Sequence, residues 1–183
     1  VNKSHMENSI NQYAIGEILD GRYFYIPAYQ RGYRWTEKQV EDLLRDLLCF
    51  AYDSKEDGEF YCLQPVIARP MTDIDQLKTI FGDDFNDSIL EHGVWEIIDG
   101  QQRLTTIFLL YKYLLDQKGW DAETLKDEED GKELYHICYA TRKGSSSFLE
   151  NLSLKAIKDS SEEAFKENVD YFHMANAFKY ISE

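Results

Sequence analysis

Apolar positions along the chain change period several times, and the changes mark its elements. Ile10, Tyr13, Ala14, Ile15, Ile18 and Leu19 recur at helical steps and stop at Asp20-Gly21. Tyr23-Phe24-Tyr25-Ile26 predicts a short strand ending at Pro27. Thr36-Glu37-Lys38-Gln39 is a capping box, with Trp35 placed to staple onto Val40. It opens a helix whose apolar face is Val40, Leu43, Leu44, Leu47, Leu48 and Ala51. Phe60 to Ala68 predicts a strand, with Pro65 marking an edge, a bulge or an early end. Residues 70–92 form an acidic excursion between two paired strands, with a short helix near Ile74–Ile80. Val94, Trp95, Ile97 and Ile98 then make a buried strand that ends at Asp99-Gly100. Leu104, Ile107, Phe108, Leu110, Tyr111, Leu114 and Leu115 give the next helix one broad apolar face.

The remainder follows the same logic. Residues 116–133 are strongly acidic and read as a solvated connection, and Leu134 to Ala140 is another strand. Arg142-Lys143-Gly144-Ser145-Ser146-Ser147 reads as a polar loop before a helix from Phe148. A last helix from Val169 reaches the chain end without a stop signal, which suggests a parent that continues. Strands interleaved with helices predict a mixed α/β (α+β) domain over residues 7–183, with a helical C-terminal part. Ser4-His5-Met6 resembles a cloning scar, so residues 1–6 are set aside as a tag or linker remnant.

Composition supports a packed domain, since 43% of the 183 residues are hydrophobic and 14% aromatic. No apolar run is long enough to span a membrane and no signal-peptide core is visible, so a cytoplasmic location is expected. Cys49, Cys62 and Cys138 lie far apart in apolar contexts and predict buried free thiols. The net charge of −14 repels nucleic acid at long range, so DNA contact by this chain alone is not expected.

Acid is absent from two windows of this acidic chain. Gly21 to Thr36 holds Arg22, Arg31 and Arg34; Gly100 to Leu115 holds Arg103 and Lys112. Such islands fit anion-facing surfaces, although apolar windows lack acids too. In the second island Gln101, Gln102 and Arg103 fall on the first turn of a helix. Its free N–H groups and positive dipole end favour an anion there. Arg103 offers a bidentate fork, Gln101 and Gln102 offer amide donors, and Gly100 permits close backbone approach. Gln30 and Arg31 are the candidates for a facing wall. Trp35 reads as packing, while Tyr29 and Tyr33 fit either stacking on a base or packing beneath the loop. Asp99 is ambiguous. It fits a cap of the helix through Asp99-Gly100-Gln101-Gln102, or a ligand for Mg²⁺ bridging to phosphates, or a group that orients water. His136 and His173 stand singly in apolar patterns and read as structural. No metal-ligand spacing of a nuclease appears.

Ile26-Pro27-x-Tyr29-Gln30-Arg31-x-Tyr33-x-Trp35, followed by Ile98-Asp99-Gly100-Gln101-Gln102-Arg103-Leu104-Thr105-Thr106, resembles the paired signature of the N-terminal domain family of GmrSD-type restriction endonucleases. Arg142 with the serines after it, and Asn168-Val169-Asp170-Tyr171-Phe172, resemble later features of that family. Leu63-Gln64-Pro65 departs from it where a Gly-containing turn is expected. The resemblance implies a ParB/sulfiredoxin-like fold and binding of a nucleoside triphosphate by Tyr29, Gln30, Arg31, Gly100, Gln101, Gln102, Arg103 and Thr105. In some members it further implies hydrolysis of the triphosphate; for that reaction Asp99, Gln102 and Arg103 are the candidate catalytic groups here, with Asp99 as the candidate ligand for Mg²⁺. The setting it implies is a modification-dependent, type IV-like restriction or phage-defence protein. DNA would be engaged and cut through a C-terminal His-Asn-His nuclease domain or a partner subunit. With only His5, His92, His136 and His173, this chain does not itself contain that nuclease. A non-catalytic DNA- or protein-interaction module of the same fold is the alternative.

Overall fold

A computed structural model describes residues 13, 15, 21–53, 56–118, 134–140, 143–159, 165–166 and 168–183. The helix expected at 10–19, most of the acidic connection and Arg142 lie outside the described residues. The elements in order are β1 (Tyr23–Ile26), α1 (Glu37–Tyr52), β2 (Ile67–Met71), α2 (Ile74–Phe81), a 3₁₀ turn (Gly82–Asp84), α3 (Asp87–His92) and β3 (Val94–Asp99). They continue with α4 (Gln101–Lys118), β4 (His136–Tyr139), α5 (Lys143–Asn151), α6 (Leu154–Asp159) and α7 (Val169–Ser182).

The strands form one mixed sheet in the order β2-β3-β1-β4. β1 runs parallel to both β3 and β4, with Tyr23 opposite Val94 on one side and His136 on the other. β2 is the antiparallel edge, with Arg69 opposite Glu96 and a register irregularity at Ile67/Ala68. The mixed α+β architecture therefore agrees with the sequence pattern, including the excursion between two paired strands. Because β1 and β3 are parallel neighbours, their carboxyl ends lie side by side, where open α/β sheets place ligand crevices.

Strand alternation splits the sheet into two faces. Phe24, Ile26, Ile97, Ile137 and Tyr139 join Leu104, Phe108 and Leu109 of α4 and Met174, Ala177 and Phe178 of α7 in the main core. Each such side chain, fully buried, is worth about 1.5–3 kcal/mol. Tyr23, Tyr25 and Val94 face the other way, against Leu77 of α2 and Ile89 of α3.

Four expectations are corrected. The strand placed at 60–68 begins only at Ile67 and runs to Met71. Gln64 adopts a left-handed φ of 68° and Pro65 has no N–H, so the ladder cannot start earlier. Pro70 is tolerated within β2 because that strand is an edge. The capping box on Thr36 is present, with the Thr36 N–H 2.8 Å from Gln39 Oε1. The apolar face of α1 is narrower than its pattern, however: Val40 and Leu43 are buried, but Leu48 and Ala51 are exposed. Cys49 and Cys62 are free but exposed, and Cys138 is half-buried. Lastly, the polar run read as a loop already belongs to α5, which starts at Lys143. Tyr171 lies over Gly144, where a Cβ would collide with its hydroxyl, and stacks on Phe148 at 4.2 Å. Tertiary contact thus outweighs the weak helix propensity of glycine and serine.

Candidate functional site

β3 delivers Asp99 to the carboxyl edge of the sheet and Gly100 turns the chain into α4. Gly100 has φ +92°, and a Cβ there would sit 3.0 Å from Val66 Cα and Cγ2 and 3.3 Å from the Pro65 carbonyl oxygen. Only glycine meets both demands without strain. The Gly100 carbonyl accepts the Leu104 N–H at 3.1 Å, so Gly100 holds the capping position and Asp99 lies one residue before it. The Asp99 carboxylate is exposed and accepts the N–H of Gly100 at 2.8 Å. The expected Asp99–Gln102 capping box is not formed, because Gln102 is engaged elsewhere.

What engages it is the loop after β1. Gln102 Nε2 donates to the Gly32 carbonyl at 3.0 Å, and its Oε1 accepts the Arg34 N–H at 2.8 Å. Gln101 Nε2 donates to the Arg31 carbonyl at 2.7 Å. In the other direction Gln30 Nε2 donates to the carbonyls of Ile97 and Ile98, at 2.6 and 3.0 Å. The Tyr33 hydroxyl is buried 2.9 Å from Thr106 Oγ1, and burial pushes its pKa up. The two stretches that share a lack of acid are therefore one clasp. Gln101 is 8% exposed and its Oε1 meets no hydrogen-bond partner among the described residues.

The expected site residues separate into three groups. Gly100, Gln101, Gln102 and Arg103 form the start of α4, and Gln30 and Arg31 are fastened against it. Gln30, Gln101 and Gln102, however, spend amide donors within the clasp. Thr105 is buried with its hydroxyl 3.1 Å from that of Tyr139, inside the core and away from the exposed rim. Tyr33 and Trp35 pack in the core, whereas Tyr29 stays exposed. Arg103 reaches the segment before β2, donating to Gln64 Oε1 and, at 3.4 Å, to the Pro65 carbonyl. Arg31 is exposed and its guanidinium makes no hydrogen bond or ion pair with the described residues. Lys112 of the second acid-free window is not at the site; its ammonium donates to the Glu150 carbonyl at 2.7 Å, and burial lowers its pKa.

Sequence reasoning missed Glu96 as a partner and gave Gln64 and Asp170 no contact. Glu96 is buried in β3 and binds Arg69 through Oε2 at 2.7 Å and Tyr29 through Oε1 at 3.2 Å. A lone charge inside an apolar strand was the signal for it. Gln64 supplies the left-handed turn where glycine was expected. Asp170, 1% exposed, pairs with Arg34 and lies 3.5 Å from Ser145 Oγ, tying α7 and α5 to the clasp. Nearby His173 has its pKa lowered by burial and then by the charge of Arg34. His136 stacks on Tyr23 at 4.3 Å.

Among the described residues no group of three or more His, Cys, Asp or Glu is placed to hold a metal. No helix among them is long and apolar enough to cross a membrane. No curated protein matches the chain. Residues 10–182 match the family model described as the GmrSD restriction endonuclease, N-terminal domain, and the chain belongs to that family.

Proposed function

We propose that this domain is the nucleotide-responsive part of a modification-dependent, type IV-like restriction or phage-defence protein, and that the phosphates of a nucleoside triphosphate bind at the start of α4. Family membership associates the chain with restriction. The observation that carries the nucleotide reading is the 2.7 Å bond from Gln101 to the Arg31 carbonyl. It fastens Arg31 to the same helical turn that bears Arg103, so two arginines flank a helix N-terminus. The N–H groups of Gln101, Gln102 and Arg103 have no intrahelical acceptor by the geometry of a first turn. Arg103 rests on neutral acceptors, Gln64 Oε1 and the Pro65 carbonyl. A phosphate oxygen outcompetes these, because its negative charge adds Coulombic attraction and its geometry lets the guanidinium bind it bidentately.

A metal fits this arrangement only together with the triphosphate. Mg²⁺ commonly takes one or two carboxylates and completes its shell with phosphate oxygens and water. Asp99, exposed beside Gly100, is the residue that would hold it. The chemistry such an ion would supply there is neutralisation of charge on the triphosphate. The chain's own contribution is to bind and orient. Arg31, Arg103 and the first-turn N–H groups hold phosphate oxygens, and Gln102 keeps the loop in register through Gly32 and Arg34.

The alternative is a non-catalytic DNA- or protein-interaction module, and the use of the Gln101 and Gln102 amides inside the clasp favours it. Thermal melts with each of the four ribonucleoside triphosphates and Mg²⁺, paired with phosphate-release assays, separate the two. A raised melting temperature abolished by Arg103→Ala supports the site. Phosphate release that Asp99→Asn removes while binding persists supports hydrolysis. Binding without release supports the module, and no shift with any triphosphate at millimolar concentration refutes the nucleotide reading. The cutting of DNA is assigned to a C-terminal nuclease domain or a partner subunit.

A further inference from the structure

Tyr29 is the aromatic of the 27–35 loop that packing does not explain. It is 70% exposed, yet its hydroxyl is fastened 3.2 Å from Glu96 Oε1. Glu96 is only 6% exposed, and its other oxygen takes Arg69 Nε at 2.7 Å and Nη2 at 2.6 Å. Arg69 is its cross-strand partner on the edge strand β2.

A buried carboxylate is costly, and an apolar side chain would serve a sheet interior at least as well. The Arg69 side chain stays 65% exposed, so the pair adds little packing. What the row Arg69–Glu96–Tyr29 delivers is a solvent-facing aromatic ring held from behind by two strands. That ring lies one residue from Gln30, whose amide is bonded to the last carbonyls of β3 before Asp99. From Glu96 to Gly100 the chain advances about 13 Å at ~3.3 Å per residue. That is of the order of the span from the base to the terminal phosphate of a nucleoside triphosphate.

We infer that Tyr29 is the stacking surface for the base of the nucleotide, and that Glu96, braced by Arg69, is the positioning residue that sets its ring. This rests on the nucleotide reading above. Stacking on an aromatic ring tolerates every base, so Tyr29 confers affinity for nucleotides over bare polyphosphate and not a choice of base.

The test measures binding of each ribonucleoside triphosphate and of inorganic tripolyphosphate, both with Mg²⁺, to the unaltered chain and to variants. Tyr29→Ala is expected to weaken the nucleotide roughly tenfold or more and to leave tripolyphosphate unchanged. Tyr29→Phe, which keeps the ring and loses the tether, is expected to fall between. Glu96→Ala is expected to match Tyr29→Phe, and Glu96→Gln, which retains an acceptor for the hydroxyl, to restore most of the affinity. Equal loss for both ligands in Tyr29→Ala, or loss for neither, overturns the inference while the phosphate site stands. Binding of neither ligand by the unaltered chain overturns the nucleotide reading and this inference with it. Circular dichroism of Glu96→Ala guards against misfolding, and Tyr29→Phe decides the matter should that variant unfold.

Discussion

Replacing Gly100 by alanine tests the geometry of the turn most directly. Two costs arise. The backbone at φ +92° lies in the left-handed region, where a Cβ costs about 1–2 kcal/mol. The same Cβ would meet Val66 Cα and Cγ2 at 3.0 Å and the Pro65 carbonyl at 3.3 Å, and such overpacking costs roughly 1–3 kcal/mol. Against them stands the lower entropy of an unfolded alanine chain, worth about 0.4–1 kcal/mol. Val66 is exposed, so the segment before β2 yields more readily than a core would, and the lower half of the range applies. A net loss of about 1–3.5 kcal/mol is expected, or ~2–14 °C in melting temperature for a chain of this size. Urea denaturation followed by circular dichroism, with a thermal melt alongside, measures it. A melting temperature within about 1 °C of the unaltered chain would refute the reasoning, because it would mean that neither the φ value nor the contact with Val66 is as described.

Other expectations follow from the buried groups. Asp170→Asn removes a carboxylate that is 1% exposed and leaves the partly exposed Arg34 without that counter-charge, which should cost about 1–3 kcal/mol in urea denaturation; a loss below ~0.5 kcal/mol would class the contact as an ordinary surface pair. Titration with a thiol-disulfide reagent at mildly alkaline pH should modify the exposed Cys49 and Cys62 quickly. Cys138, whose pKa burial pushes to about 12, should react only after denaturation, and three fast thiols would contradict its placement. His173 has a lowered pKa, so the unfolded chain takes up its proton first as the pH drops. Its share of stability is therefore present above the ordinary value of 6.5 and is lost as pH falls through the folded value. His173→Gln should flatten stability between pH 7 and 5, read from melting curves, and an unchanged slope would count against this.

Period and capping residues made the central strand, its Asp-Gly end and the start of α4 legible. The facing of the two motif stretches was legible too, through their shared lack of acid. The direction of the amides was not. Gln101 and Gln102 donate to the carbonyls of Arg31 and Gly32, and nothing in a side-chain pattern announces a main-chain acceptor some seventy residues away. Strand β2 was misplaced for a related reason. The left-handed turn at Gln64 is occupied by a residue that does not advertise it, and a proline at an edge reads as a terminator. Glu96 shows the opposite case, a visible anomaly in an apolar run that becomes intelligible only once β2 supplies Arg69.

The clasp has one further property. Gln101, Gln102 and Gln30 all grip main-chain carbonyls of the opposite stretch and not its side chains. Apart from the buried Tyr33–Thr106 contact, the grip of the two halves does not depend on what the loop displays, and an exposed position such as Arg31 is free to vary without loosening the frame. A chain built this way can exchange what it reads while keeping the machinery that holds the reader still.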